Sequence, residues 1–226
     1  MGAKIEIKGL AKTFIKDSHK IEVLKGLDLT ISAGESLAVL GVSGAGKSTL
    51  IHILGALDRP TSGLVLYDGI DVFRWEEKKM ARFRNQSIGF VFQFFNLLPE
   101  FTSLENTMMP ALVQGMSRRM AKERAQIILN EVGLGDRMNH KPGELSGGEQ
   151  QRAAVARALI MDPEVILADE PTGNLDRSTG IKIEDMLVNL NQAKGVTLIV
   201  VTHNKSLADR MSRRIGLGDG RICAVE

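Results

Sequence analysis

Apolar and polar residues follow two different spacings along this chain, and each spacing predicts a different kind of element. In residues 4–10, isoleucines alternate with charged residues, which is typical of a half-buried edge strand. Residues 27–31 alternate leucine or isoleucine with polar residues in the same way. Short apolar runs, typical of buried strands, occupy 36–40, 65–67, 88–92, 165–168, 197–201, 215–217 and 222–225.

Apolar residues with a helical spacing fill most of the sequence between these strands. The predicted helices occupy 48–57, 102–114, 116–132, 149–161, 179–192 and 205–212. In the segment 116–132, for example, Ala121, Ala125, Ile128 and Leu129 share one helical face. Strands that alternate with helices predict an α/β fold with a mainly parallel sheet.

The same patterns divide the chain into a part that forms the sheet and a part that is helical. Residues 94–155 contain predicted helices and no clear strand. We interpret residues 94–155 as a helical lobe inserted into a core formed by residues 1–93 and 156–226. One domain with a lobe is a reasonable size for 226 residues.

Composition and charge exclude several classes of protein. Apolar residues make up 43% of the chain, which is too many for a disordered protein. The formal net charge is +2, so no strong basic field points to nucleic acid. The single cysteine, Cys223, rules out an internal disulfide framework and a cysteine-rich zinc site. No apolar run approaches the roughly 18–20 residues of a membrane span, so a membrane role requires separate chains.

A glycine-rich loop joins the predicted strand 36–40 to the helix that follows it. Its sequence, GVSGAGKST, matches the spacing G-x-x-x-x-G-K-[ST]. Glycines let successive N–H groups converge on phosphate oxygens, and the helix N-terminus adds the positive end of its dipole. The lysine supplies a cation for the β- and γ-phosphates, and the serine offers a hydroxyl to Mg²⁺. We therefore assign nucleotide binding to Gly41, Ser43, Gly44, Ala45, Gly46, Lys47, Ser48 and Thr49.

Two carboxylates, Asp169 and Glu170, follow the buried run 165–168. A parallel strand delivers its last residues to the carboxyl edge of the sheet, where ligands bind in open α/β folds. We expect Asp169 to hold Mg²⁺ through its water shell and Glu170 to polarise an attacking water. The alternative is a solvated acidic turn before Pro171.

A histidine follows the next buried run, 197–201, at position 203. By the same geometry His203 reaches the carboxyl edge, where it can sense the γ-phosphate and position Glu170 or the water. A lone histidine is more often an ordinary surface or core residue, and that alternative stays open.

A second anion-binding element precedes the predicted helix 149–161. Ser146, Gly147 and Gly148 would present a hydroxyl and backbone N–H groups at the helix N-terminus. Because the first loop already occupies the phosphates of one nucleotide, we expect this element to close on the nucleotide of a second protomer. The alternative is a serine N-cap with a glycine turn.

In this order the motifs resemble the nucleotide-binding domain of ABC transporters over essentially the whole chain. GVSGAGKST resembles the Walker A motif, VILADE the Walker B motif and LSGGEQQR the signature. Gln93 matches the Q-loop glutamine, residues 174–176 the D-loop and His203 the switch histidine. Phe14 lies where the family places an aromatic residue, more often tyrosine, to stack on adenine.

This resemblance implies an ATPase that binds ATP and Mg²⁺ and forms a homodimer on ATP binding. It implies a P-loop core with an antiparallel edge beside the parallel sheet. The implied catalytic residues are Glu170, His203 and Gln93, and the implied metal ligands are Ser48, Gln93 and Asp169.

A finer resemblance rests on LGALDRPTSG, FVFQFFNLLPEFTSLENTMMPAL and ADEPTGNLD. These segments are similar to those of the ATPase subunits of lipoprotein-releasing (Lol) systems. The resemblance implies a peripheral subunit at the cytoplasmic face of the bacterial inner membrane, which drives lipoprotein release through integral membrane subunits. Such a subunit touches neither the cargo nor nucleic acid. Macrolide-exporter and cell-division ATPases share similar stretches and remain alternatives.

Five of the eight phenylalanines lie within residues 90–101. Those that follow Gln93 form either the core of the helical lobe or a partner site. In the transporters that this chain resembles, a cytoplasmic helix of the membrane subunit binds in a groove there. We therefore expect membrane subunits to dock between Gln93 and Phe101, with Phe95 and Leu98 as exposed contacts.

Two other functional classes use the same phosphate loop. Soluble ABC ATPases that act on DNA carry long insertions, and those that act on ribosomes carry two tandem copies, neither of which this sequence contains. A small-molecule kinase has no use for LSGGEQQR or His203. The motifs therefore favour a transport motor.

Overall fold

Ten strands form two sheets in the computed structural model, which describes residues 2–17 and 19–224. The strands are β1 Ile5–Lys16, β2 His19–Ile31, β3 Ser36–Leu40, β4 Ser62–Tyr67, β5 Ile70–Asp71, β6 Ile88–Phe92, β7 Val165–Asp169, β8 Thr197–Thr202, β9 Arg213–Gly218 and β10 Arg221–Cys223. The strands predicted at 36–40 and 88–92 are confirmed to the residue. The last predicted strand ended at Val225, which lies outside the described residues.

Four of the strands form an antiparallel sheet in the order β2-β1-β4-β5. Strand β1 pairs with β2 on one side and with β4 on the other. The prediction of an edge strand at residues 4–10 is therefore wrong. The alternation of Ile5 and Ile7 with charges reports that one face of the strand is buried, and it carries no information about how many neighbours the strand has.

The other six strands form a second sheet in the order β10-β9-β3-β8-β7-β6. All pairs from β9 to β6 are parallel, and only β10 is antiparallel to its neighbour. The predicted α/β fold, with a mainly parallel sheet and an antiparallel edge, is confirmed. Because these strands run in one direction, the residues that follow β3, β6, β7 and β8 meet at the same edge.

Two apolar clusters cover the two faces of the parallel sheet. In β8, Ile199 and Val201 belong to the cluster shared with the antiparallel sheet and the first helix. Leu198 and Val200 belong to the cluster shared with the helices on the opposite face. Every residue of β8 is buried, which is why the four residues between its terminal threonines form an unbroken apolar run.

Seven α-helices are found in the described residues: α1 Lys47–Leu54, α2 Glu77–Ser87, α3 Ser103–Val113, α4 Arg118–Glu131, α5 Gly147–Leu159, α6 Arg177–Lys194 and α7 Lys205–Ala208. Three short 3₁₀ turns lie at Val72–Arg74, Gly135–Arg137 and Pro142–Glu144. Helix α7 ends at Ala208, before the predicted end at Ser212, which instead bonds to Ser36 at the start of β3. Among the described residues, no helix is long and apolar enough to cross a membrane.

Helices α3, α4 and α5 lie between β6 and β7 in the chain, and each begins within the region predicted as a helical lobe. They pack on one another around Ala121, Ala125 and Leu129, which are fully buried. Helix α5 continues past residue 155 and packs against β6. The division at residues 94–155 stays a prediction.

Candidate functional site

A cavity of about 500 Å³ opens at the carboxyl edge of the parallel sheet. It is lined by Val23, Ser43, Gly44, Gly46, Lys47, Ser48, Thr49, Gln93, Asp169, Glu170 and His203. Ten of these eleven residues are ones that the sequence analysis selected, and they come from four separate stretches of the chain. The parallel strand order brings those stretches to one edge.

The loop between β3 and α1 has a backbone that favours glycine at two positions. Gly44 and Gly46 have φ of 82° and 98°, in the left-handed region. A Cβ at Gly46 would also lie 2.9 Å from Cδ2 of Leu24. At Gly41 a Cβ would lie 2.3 Å from the carbonyl oxygen of Leu217 on the neighbouring strand. The loop is thus a concave cradle of backbone N–H groups at the start of a helix, which fits a phosphate group.

Lys47 is the first residue of α1, and only 9% of it is exposed. Its ammonium donates to the carbonyl oxygens of Gly41 at 2.7 Å and Val42 at 3.1 Å. The lysine therefore folds over its own loop, with its charge held at the mouth of the cradle. An anionic oxygen is a stronger acceptor than a carbonyl oxygen, so phosphate would compete for these donors.

Ser48 and Asp169 both line the cavity, and their side chains are neighbours. Burial raises the pKa of Asp169, while a hydrogen bond from Ser48 and the nearby His52 oppose that shift. A hydroxyl next to a half-buried carboxylate is a pair of hard oxygen ligands, which suits Mg²⁺. The donor set therefore fits the ion that the resemblance implies.

Glu170 has an unusual backbone and a well-defined side chain. Its φ is 45°, and its N–H donates to the carbonyl oxygen of Val201 on β8. The hydroxyl of Thr202 donates to Oε2 at 3.1 Å, and Nδ1 of His203 lies 3.0 Å from Oε1. The predicted proximity of Glu170 and His203 is therefore present.

Gln93 is joined to the loop after Glu170 by two reciprocal hydrogen bonds. Its Nε2 donates to Oδ1 of Asn174 at 3.1 Å, and Nδ2 of Asn174 donates to the carbonyl oxygen of Gln93 at 3.0 Å. Asp176, two residues further on, caps α6 by accepting from Ser178 and Thr179. These bonds link the end of β6 to the segment that resembles the D-loop.

Ser146, Gly147 and Gly148 lie at the N-terminus of α5 and do not line the cavity. The Ser146 hydroxyl donates to Oε2 of Glu149 at 2.7 Å and accepts from its N–H. The backbone N–H and then the hydroxyl of Ser146 lower the pKa of Glu149 to about 2, and Arg137 contributes further. The serine is therefore an N-cap within one protomer, and its role toward a second protomer stays a prediction.

Phe14 and Val23 belong to the two long antiparallel strands beside the loop. Phe14 is 42% exposed, does not line the cavity and has the Lys12 ammonium 4.8 Å from its ring centre. Its adenine-stacking role stays a prediction. Val23 lines the cavity and was missed, because it lies before the predicted strand 27–31 and a single valine carries no chemical signal.

The segment after Gln93 differs from expectation in which side chains are exposed. Leu98 is 42% exposed, as predicted, and Phe94 is 72% exposed. Phe95 is half-buried, so the prediction that it is exposed is wrong. Its φ is 59°, and its carbonyl oxygen accepts from Nη2 of Arg157 at 2.8 Å. The end of its ring would lie 3.8 Å from a Cβ built at Gly147.

Comparison with known proteins identifies the family. Residues 24–173 match the family described as "ABC transporter". The chain is 72% identical over 218 residues to the lipoprotein-releasing system ATP-binding protein LolD of Syntrophus aciditrophicus, covering 96% of this chain and 98% of the relative. It is 54% identical to LolD of Geobacter metallireducens, covering 99% and 100%.

A solved structure agrees with these relatives. The dimeric post-hydrolysis state of the ATP-binding cassette MJ0796, bound to ADP and Pi, superposes with a TM-score of 0.90 at 42% identity. The match covers 96% of each chain. Family match, sequence identity and structural likeness agree with the phosphate cradle and the carboxylates that close the cavity. The chain therefore belongs to the ABC transporter family, as one of its ATP-hydrolysing subunits.

Proposed function

We propose that this chain is the motor subunit that drives lipoprotein release from the bacterial inner membrane, at whose cytoplasmic face it binds as a peripheral protein. The observation that carries the proposal is the cavity in which Lys47, Asp169, Glu170 and His203 converge. The cargo is inferred from relatives of 48–72% identity that bear the name LolD.

The phosphate chain of ATP would enter the cradle of residues 41–49. Lys47 would exchange its two carbonyl acceptors for oxygens of the β- and γ-phosphates. Ser48, Asp169 and Gln93 would hold Mg²⁺. When bound, that ion supplies positive charge that offsets the charge of the phosphates.

Glu170 would act as the general base for the attacking water. A base must be held within hydrogen-bond reach of the proton that it accepts. The hydroxyl of Thr202 fixes Oε2, while His203 lies beside Oε1, so the carboxylate has little freedom to turn. His203, which is exposed at the cavity mouth, would contact the γ-phosphate.

A homodimer would complete the site. Ser146 and the glycines after it do not line the cavity of their own protomer, so they are available to close on the nucleotide of another. The solved structure described above is a dimeric ATP-binding cassette. Binding of ATP between two protomers would make closure depend on the γ-phosphate.

Membrane subunits would dock in a second cavity of about 390 Å³. Leu57, Phe90, Phe92, Pro110 and Met161 give it an apolar lining, and Arg84 and Arg157 add positive charge. Phe92 lines this groove and the next residue, Gln93, lines the nucleotide cavity. Phe92 and Gln93 are adjacent in sequence, so movement at the nucleotide cavity would be passed directly to the groove in which the membrane subunits would dock.

The test is release of a lipoprotein by the assembled complex. The chain is reconstituted with its membrane subunits in proteoliposomes that contain a fluorescent lipoprotein, and ATP-dependent release is measured. We expect release by the wild type and none by Glu170→Gln, which still assembles. A complex that hydrolyses ATP but leaves the lipoprotein in the bilayer would contradict the proposed cargo, and a variant that releases as well as wild type would contradict the proposed base.

A further inference from the structure

A buried carboxylate lies outside the nucleotide cavity, on the helix that follows the D-loop-like segment. Glu184 of α6 is 3% exposed. Its neighbour Asp185 is largely exposed, so the two acids on this helix have different environments. Burying a carboxylate is costly unless hydrogen bonds and a counter-charge compensate for the lost water. Glu184 therefore needs partners that offset the free-energy cost of removing its carboxylate from water.

Glu184 has three side-chain partners, which are Asn204, Arg210 and Thr172. Its Oε1 accepts from Nδ2 of Asn204 at 2.9 Å. Its Oε2 lies 3.6 Å from Nη1 of Arg210, whose other terminal nitrogen pairs with Asp185 at 2.5 Å. The bond to Asn204 is therefore shorter than the contact with Arg210.

Asn204 is the residue directly after His203, and its side-chain amide and its backbone N–H all form hydrogen bonds. Its Oδ1 accepts from the backbone N–H groups of Ser206 and Leu207, which caps α7. Its own N–H donates to the hydroxyl of Thr202 at 3.0 Å. The cap orients the amide so that Nδ2 points toward Glu184.

The same turn holds the proposed base. The Thr202 hydroxyl that accepts from Asn204 donates to Oε2 of Glu170 at 3.1 Å. The backbone N–H of His203 also points at Oε2, at 3.3 Å. Three consecutive residues therefore connect Glu184 at one end to Glu170 at the other.

We propose that Glu184 is a positioning residue that holds His203 against Glu170 through its hydrogen bond to Asn204. The inference rests on the roles proposed above for His203 and Glu170. Because α6 begins at the cap Asp176, movement of the D-loop-like segment would reach His203 through this bond. A charged acceptor makes the bond stronger than one between neutral groups.

The alternative is that Glu184 only fastens α7 to α6. If its role is only structural, substitutions of Glu184 would lower folding stability and leave ATP hydrolysis unchanged in any variant that stays folded. A positioning residue would lower kcat while the KM for ATP and the melting temperature change little. Two variants separate these possibilities, with Asp185→Asn as the matched control because it removes the ion pair with Arg210 and leaves Asn204 bonded.

Glu184→Gln keeps an oxygen acceptor for Asn204, and we expect its kcat to stay within about twofold of wild type. Glu184→Leu has a similar volume and no acceptor. We expect it to lower kcat by about tenfold or more, the effect of losing one hydrogen bond to a charged group. Asp185→Asn should match wild type. Equal kcat for Glu184→Leu and wild type, with both folded, would overturn the inference.

Reversing the polarity of the bond gives a second test that does not depend on the stability of Glu184→Leu. Asn204→Asp keeps the helix cap and places a second carboxylate against Glu184, so we expect kcat to fall by at least tenfold. Adding Glu184→Gln supplies an amide donor to the new carboxylate and should restore kcat to within about threefold. No recovery in the double variant would overturn the inference.

Failure of the inference is distinguishable from failure of the proposed function. Glu170→Gln and His203→Ala are measured in parallel. If both of these hydrolyse ATP normally, the proposed function fails, whatever Glu184 does. If both lose hydrolysis while the Glu184 and Asn204 variants behave as wild type, only the positioning role is wrong.

Discussion

Ser146 has two possible roles, and a matched pair of substitutions separates them. The serine caps α5, and Thr102 caps α3 with the same arrangement of a hydroxyl and a glutamate three residues later. Ser146→Ala and Thr102→Ala therefore remove equivalent capping boxes. Only Ser146 is predicted to reach the nucleotide of a second protomer.

The expected loss of stability is similar for the two variants. Removing a serine or threonine cap typically costs ~1 kcal/mol. The two hydroxyls accept at 3.4 Å and 3.2 Å and donate at 2.7 Å and 3.2 Å, so neither cap is clearly stronger. For a chain of 226 residues, that cost lowers the melting temperature by about 2–4 °C.

The expected effect on the dimer differs between the variants. A hydrogen bond to a charged phosphate contributes about 1.5–3 kcal/mol, and a symmetric dimer contains two such bonds. Ser146→Ala should therefore weaken the ATP-dependent dimer at least ~100-fold, whereas Thr102→Ala should leave it unchanged. The assay is analytical ultracentrifugation with ATP in a Glu170→Gln background. Both proteins are measured well below their melting temperatures, so that the loss of folding stability does not affect the result. Equal dimerisation of the two variants would refute the shared-site reasoning.

Three further substitutions test the remaining parts of the site. Lys47→Ala should abolish tight binding of ATP and Mg²⁺, because the γ-phosphate loses its nearest cation; unchanged affinity by calorimetry would refute the assignment of the loop. Glu170→Gln should keep ATP binding, lower hydrolysis roughly 100-fold and accumulate a dimer in size-exclusion chromatography; a monomer with bound ATP would contradict this. Leu98→Asp should prevent pull-down of the membrane subunits, at a cost of about 2 kcal/mol or more, and leave ATP turnover of the free subunit intact. Phe95→Asp should instead precipitate on expression because its ring is half-buried, and normal assembly by both aspartate variants would exclude the segment between Gln93 and Phe101 as the docking site.

The parts of this protein that were predictable are those encoded by contiguous residues. The phosphate loop needs glycines, a lysine and a serine at fixed spacings, because its backbone must curl around an anion within nine residues. Strands β3 and β6 were located to the residue, because both faces of each strand pack against apolar neighbours and the run of apolar residues has clear ends. These requirements are local, so they can be predicted from short stretches of sequence.

Helix α2 illustrates where local patterns were insufficient. The sequence patterns did not predict it, because Met80 is its only buried residue and most of the helix is charged or polar. Phe83 nevertheless packs edge-on against Tyr67 and Trp75 from earlier parts of the chain. The misplacement of β1 at an edge has a similar cause, since its second partner, β4, is supplied from a distant segment.

The relations between motifs depended on the tertiary structure alone. Asn174 and Gln93 are 81 residues apart in sequence, and their reciprocal bonds exist because β6 and β7 are neighbours in the sheet. Glu184 and Asp185 are adjacent acids on one helix, and only the packing of the turn at Asn204 buries the first and leaves the second in solvent. The sequence by itself determined which residues carry the chemistry, because those residue types and spacings are local requirements. Contacts between distant segments decided which side chains hold those residues in place. No local sequence pattern predicts these contacts, because they depend on which segments pack together in the folded chain.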